Sequence, residues 1–148
     1  MNILFKADRF GSLSVHQLHD ILRLRTDIFV VEQNCPYSDI DGRDPECIHV
    51  HGTAPGGAIV AYARIIPPHD GRPPHIGRVV VRIDHRGMGL AHALMRFTLT
   101  TVENEFGSSR AVLAAQSHLE AFYAGHGFRR NGENYLWDGI LHVDMVRE

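Results

Sequence analysis

Cysteine is scarce in this chain: Cys35 and Cys47 are the two in 148 residues. Two thiols cannot build a disulfide framework, so a reducing, cytoplasmic setting is expected rather than that of a small secreted scaffold. Excess positive charge is missing too. Fifteen Lys and Arg stand against 17 Asp and Glu, a formal net charge of −2, and nothing in that balance argues for a nucleic-acid surface. No apolar run approaches the roughly 20 residues of a membrane span. The apolar start, Met1 to Phe5, is too short for a signal peptide and soon becomes charged. A Gly-Lys-Ser/Thr triplet is also absent, which excludes a Walker-type nucleotide loop. What is present is ordinary for a globular chain: 44% hydrophobic and 22% charged residues. The length predicts one domain, residues 1–148, able to bury a real core.

Taken in order, Asn2 to Lys6 reads as a first strand. Ser14-Val15-His16-Gln17 has the form of a capping box, predicting a helix from Val15 to about Val30 or Val31. Val15, Leu18, Leu22 and Arg25, with Ile21 and Ile28 beside them, follow helical spacing. Glu32 to Pro45 is acidic and broken by Pro36, Gly42 and Pro45. It is read either as a solvated loop or as a loop lining a site for a cationic substrate. Cys47–Gly52 and Ala58–Ile66 read as a hairpin. A proline-rich excursion follows, then a central strand, Ile76–Arg82. Ala91, Leu94, Met95, Leu99, Val102 and Phe106 trace one apolar helix face ended by Gly107. Ala111–Ala115 is a buried strand. Ser117-His118-Leu119-Glu120 reads as a second capping box opening a short helix, and two strands close the chain, from Phe128 and from Leu141. The expected order is β-α-β-β-β-α-β-α-β-β, an α/β fold with one mixed central sheet flanked by helices.

The stretch around which the chain is organised is Val79-Val80-Val81, a polar turn, and then Arg86-Gly87-Met88-Gly89-Leu90-Ala91. A β-branched run followed by a glycine turn and a helix makes a phosphate cradle. The glycines let backbone N–H groups close on an anion, and the helix start adds unpaired N–H groups and a positive dipole. A dinucleotide fingerprint is disfavoured because His92 stands where its third glycine belongs.

Arg86-Gly87-Met88-Gly89-Leu90-Ala91 resembles the Arg/Gln-x-x-Gly-x-Gly/Ala signature with which the Gcn5-related N-acetyltransferases (GNAT) hold the pyrophosphate of acetyl-coenzyme A. Phe122-Tyr123-Ala124-Gly125-His126-Gly127-Phe128 resembles the Phe-Tyr-x-x-x-Gly-Phe segment after that family's fifth strand. Further stretches, among them Leu24–Gln33, Asp41–Asp44, Ile76–Val79, Ala114–Gln116 and Asp138–His142, resemble the ElaA-like subgroup.

The resemblance implies a single-domain GNAT-like fold and an acyltransferase. It would use acetyl-coenzyme A as co-substrate to acetylate directly the amine of a small molecule or peptide. Backbone N–H groups from Arg86 to Ala91 (Arg86, Gly87, Met88, Gly89, Leu90 and Ala91) would hold the cofactor. The side chain of Arg86 either adds charge or lies at the surface. Val79, Val80 and Val81 would pair with the pantetheine arm, and Gln116 either bonds that arm or acts as a cap. Tyr123 would protonate the departing thiolate, because a phenol near pKa 10 stays protonated at neutral pH. Glu32, Asp138 and His142 are the candidate bases, with a water chain as the alternative. A monomer or homodimer is expected. Two other readings stand beside the enzyme: a non-catalytic coenzyme A-binding regulatory module, and a nicotinamide-binding protein.

No metal is expected. Cys47, His49 and His51 share one strand face, but the three span about 13 Å at about 3.3 Å per residue, too far for one ion. They read as half-buried polar residues near the site. The other histidines show no metal-ligand spacing.

Overall fold

The structure is a computed structural model, and it describes residues 2–148. The chain forms β1 (Leu4–Arg9), α1 (Val15–Arg25), β2 (Ile48–Thr53), β3 (Ile59–Ile66), β4 (His75–Val81), α2 (Leu90–Phe106) and β5 (Ala111–Gln116). It ends with α3 (Glu120–Ala124), β6 (Arg129–Arg130), β7 (Tyr135–Trp137) and β8 (Ile140–Arg147). The strands make one sheet in the order β1-β2-β3-β4-β5-β8-β6, with β7 on β8. The junction of β4 and β5 is parallel and the other pairings are antiparallel. The α/β fold with a mixed central sheet is thus as expected. One short strand is added at the end, because Asp138 (φ 50°) and Gly139 (φ 75°) make a turn with both central residues left-handed. That turn type suits a two-residue hairpin, so β7 folds back on β8.

Each face of the sheet has its own core. Leu90, Leu94, Met95, Leu99 and Val102 of α2 pack with Ile76 and Val81 of β4, Leu113 of β5 and Val143 and Met145 of β8. On the other face Ile21, Leu24 and Ile28 pack on Ile59, Tyr62 and Val80. Of the stripe its spacing suggested, Ile21, Arg25 and Ile28 are buried, joined by Leu24. Leu18 and Leu22 are half-buried and Val15 is exposed, because contact with the sheet decides which side of the helical face is covered. The Ser14 capping box forms: Gln17 N–H donates to Ser14 Oγ (3.0 Å) and Ser14 N–H to Gln17 Oε1 (2.9 Å). Beyond Arg25 the helix continues with π geometry over Thr26–Glu32. The wider bonds of that geometry run from Gln33 N–H to Ile28 O and from Cys35 N–H to Val30 O.

The second capping box does not form. Ser117–Leu119 is a tight turn without a side-chain cap, and the Glu120 carboxylate is taken by Arg130, with Nη2–H to Oε1 at 2.7 Å. Cys47, His49 and His51 are fully rather than half buried, because the two histidines lie in β2, between β1 and β3, and Cys47 stands just before it. His49 Nδ1 accepts from Tyr62 O–H (2.6 Å) and its Nε2–H donates to Asp44 O (2.9 Å). Burial lowers the pKa of His49, and it sits there as a neutral ring.

Much of the acidic loop after the π segment is exposed, as a solvated loop would be, but its aspartates are not free to meet a cation. Its aspartates are paired with the protein's own arginines. Arg25 reaches Asp39 Oδ2 (2.8 Å) and Asp44 Oδ1 (2.9 Å). Arg64 reaches Asp41 Oδ2 (2.8 Å) and Asp44 Oδ1 (3.0 Å), and Arg78 reaches Asp39 Oδ1 (2.8 Å). Burial works to raise the pKa of Asp44, but hydrogen bonds and charge from Arg25 and Arg64 outweigh it and hold the carboxyl below its ordinary value. Asp41 is lowered in the same way, chiefly by Arg64. A depressed folded-state pKa gives stability that is present above the unfolded value, about 3.9, and lost as pH falls toward the folded one. The urea midpoint should therefore fall between about pH 5 and 3. Asp44→Asn should lower the midpoint at neutral pH and flatten that dependence; an unchanged slope would remove the cluster as its source.

Candidate active site

The sheet opens between β4 and β5. One ladder pair joins them, His75 with Val112, supported by Val112 N–H to Pro74 O at 2.9 Å. Among the described residues no ladder pair carries Gly77–Val81 further along β5, so that edge of β4 is free. Arg82 N–H donates to Val60 O (2.7 Å) on β3. By the alternation of an antiparallel ladder, Val81 turns its own N–H and C=O to the opposite, open edge. There its carbonyl accepts Arg86 Nε–H at 3.0 Å.

A β-bulge sits in the same strand. The register passes from Tyr62↔Val80 to Arg64↔Gly77, leaving Arg78 and Val79 opposite Ala63. Arg78 is left-handed, with φ 52°, an uncommon state for a residue with a Cβ. Its guanidinium lies over the Tyr37 ring, 5.6 Å from the centroid, and is tied to the carboxylate and carbonyl of Asp39. The acidic loop thus anchors the bulge beside the free edge, a place where bulges commonly re-aim a strand.

The cradle follows from the turn after β4. Gly87 (φ 80°) and Gly89 (φ 73°) are left-handed. A Cβ at either position would meet nothing within 4 Å, so the backbone conformation and not crowding favours glycine there. Gly89 precedes α2 without any side-chain cap, and the first turn of α2 holds no acid. The first N–H groups of the helix therefore face outward unpaired, where they attract an anion. They border a depression of about 230 Å³ lined by Val81, Arg86, Gly87, Gly89, Leu90 and Ala91, with Phe122 of α3 on the far wall. Met88 is exposed beside it. Arg86 does not point into the cradle: besides Val81 O it donates from Nη1 to Glu32 Oε2 (2.9 Å).

Tyr123 belongs to the core on the α2 face and is 6% exposed. It stands edge-on to Phe122 and Phe128, with ring centroids 5.0 and 6.1 Å away. Burial pushes the phenol up to about 12, and its hydroxyl makes no hydrogen bond among the described residues. His142 lies on the other face, because its neighbour Val143 points into the α2-side core. Its register partner is Gln116 at the end of β5. His142 Nδ1 lies 2.8 Å from Ile140 O. A carbonyl only accepts, so Nδ1 carries the hydrogen, and Nε2 is the nitrogen without a partner among the described residues.

The topology gathers these groups at one end of the sheet. β4 and β5 are parallel and end there at Val81 and Gln116, while antiparallel β8 begins there. Arg86 ties Glu32 to the end of β4, and the Cys35 thiol donates to Asp138 O (3.4 Å) at the tip of the β7–β8 hairpin. Of the three base candidates, Glu32 is engaged by Arg86 and Asp138 is exposed at the hairpin turn. His142 alone offers an unengaged nitrogen. Sequence reasoning missed Arg78, whose left-handed state has no local signature, and the rings of Tyr135 and Trp137 beside His142.

A split parallel pair leading to an uncapped glycine turn can take an extended ligand with an anionic end. Residues 31–148 match the family model described as "Acetyltransferase (GNAT) domain", and the chain belongs to that family of acyltransferases. Within it the relatives are ElaA and UPF0039 proteins. The chain is 45% identical to Protein ElaA of Escherichia coli over 93% of this chain and 92% of that one. It is 43% identical to a UPF0039 protein of Schizosaccharomyces pombe over 99% and 98%. The crystal structure of E. coli ElaA superposes with a TM-score of 0.92 at 41% identity, covering 99% of this chain and 100% of that one. An acyl-CoA N-acyltransferase from Pseudomonas aeruginosa gives 0.93 at 37% identity, with the same coverage.

Proposed function

We propose that this chain is a cytoplasmic enzyme, one domain over residues 1–148, that moves an acetyl group from acetyl-coenzyme A directly to a primary amine of a small molecule or peptide. The observation that carries this is the open edge of β4 running into the uncapped start of α2. The cradle from Arg86 to Ala91 takes the pyrophosphate. Val79 to Val81 take the pantetheine amides as an added strand would, and Gln116 faces the arm from β5. The Val81 N–H supplies an oxyanion donor for the thioester carbonyl.

His142 Nε2 accepts the proton of the attacking amine. As the N–C bond forms, the C–S bond breaks, and the Tyr123 hydroxyl gives its proton to the departing sulfur. Glu32 holds Arg86 against Val81 O and so acts as a positioning group. A regulatory module that merely binds coenzyme A has no use for a hydroxyl on a buried ring that makes no structural bond.

The test is incubation with acetyl-coenzyme A and a mixture of primary amines, followed by mass spectrometry. One acetylated amine should form for each free thiol released. Thiol release without an acetylated amine would contradict transfer to an amine.

A further inference from the structure

Building on the acetyl-transfer reading above, we infer that the acceptor is a monoamine carried on a flat aromatic body, selected by a shelf of Tyr135, Trp137 and His142, and not a polycation. α1 covers β3 and β4 on its face of the sheet. On that face the β5 side chains Val112, Ala114 and Gln116 are half-buried, whereas the alternate ones are buried against α2. The β7–β8 hairpin borders this uncovered strip. Tyr135 pairs with His142 and Trp137 with Ile140 in the register, so these four side chains share one face. The Tyr135 ring stacks on His142 with centroids 6.1 Å apart and planes at 22°. The Trp137 ring is 5.3 Å from His142 and remains 50% exposed. A large aromatic left half in water beside the proposed base is a surface for another ring.

Charge points the same way. A polyamine needs several free carboxylates, and those on the substrate side are engaged except for Asp138, exposed at the hairpin turn. Asp39, Asp41 and Asp44 are held by Arg25, Arg64 and Arg78, and Glu32 by Arg86. Asp144, the acid within β8, accepts the Tyr135 hydroxyl. One partly engaged carboxylate, one exposed at the turn and three rings suit a single amine on a planar group better than a polycation.

The test measures thiol release from acetyl-coenzyme A with tryptamine, 2-phenylethylamine, propylamine and spermidine as acceptors, and acetyl-coenzyme A binding in parallel by thermal shift. Tryptamine and phenylethylamine should show kcat/KM about tenfold or more above spermidine, a stacking contact of the usual size. Trp137→Ala should lower kcat/KM for the two aromatic amines about tenfold. It should leave propylamine turnover and the KM for acetyl-coenzyme A unchanged, whereas a merely structural role would move all of them together. Preference for spermidine, or an equal loss on all four amines, overturns the inference. Binding of acetyl-coenzyme A without turnover of any aromatic amine overturns it while leaving the cofactor reading intact. No binding and no turnover overturns both.

Discussion

Tyr123→Phe should lower kcat about 100-fold while the acetyl-coenzyme A dissociation constant and the melting temperature stay where they are. General acid catalysis contributes about 10²–10⁴ in rate, and the lower end applies because solvent can still protonate a thiolate. A thiol has an ordinary pKa near 8.5, well below the value of about 12 to which burial raises Tyr123, so the phenol is protonated at every working pH. Stability should not change, since the hydroxyl bonds to nothing among the described residues and the ring contacts with Phe122 and Phe128 remain. Removing a hydroxyl that bonds to no protein group leaves no partner unsatisfied, so it costs folding little. Stopped-flow turnover and calorimetric binding on the same preparation separate the two effects. Wild-type turnover in the variant would remove Tyr123 from the chemistry, and a binding loss equal to the rate loss would make it a contact for the arm.

Gly89→Glu should abolish acetyl-coenzyme A binding, raising the dissociation constant about 10³-fold. The added carboxylate would stand where the cradle is proposed to take the pyrophosphate. One pair of like charges 4 Å apart costs about 4 kcal/mol at an effective dielectric of 20, and 1.4 kcal/mol is tenfold in affinity. The fold should survive, because a Cβ at Gly89 meets nothing within 4 Å and the left-handed φ of 73° costs a side chain only about 1–2 kcal/mol. Gly89→Asn is the control: it tolerates the left-handed conformation and adds no charge. It should bind far better than the glutamate variant, as measured by calorimetry. Equal loss in both variants would mean that backbone shape, and not anion repulsion, governs the site.

What could be read from the sequence was local. Strand, glycine turn and helix are contiguous, so Val79 to Ala91 showed that turn and helix start, whereas the β7–β8 hairpin at Asp138-Gly139 went unread. The Ser14 box formed because nothing competes for Ser14 and Gln17, whereas the Ser117 box failed because Arg130 claims Glu120. The ion pairs of the aspartate loop could not be read because their partners are distant in the chain. Asp39 meets Arg25 and Arg78, and Asp41 meets Arg64, across separations of 14 to 39 residues, and no periodicity encodes such pairs. The same holds for His142. Its sequence neighbours show a polar residue in a strand, but only the register with Gln116 and the bond to Ile140 O reveal a free nitrogen at the mouth of the split.

The central claim is that the open edge of β4 and the start of α2 form one site for acetyl-coenzyme A. Thermal unfolding with acetyl-coenzyme A, coenzyme A, NADH and ATP in parallel tests it most directly. A ligand at a hundredfold its dissociation constant adds about 2.7 kcal/mol, a rise of several degrees at about 2–4 °C per kcal/mol. Acetyl-coenzyme A and coenzyme A should raise the melting temperature by that amount in the wild type and leave Gly89→Glu unmoved. A shift with NADH instead, or none with the coenzyme A pair, would contradict the assignment of the cradle and with it the proposed transfer.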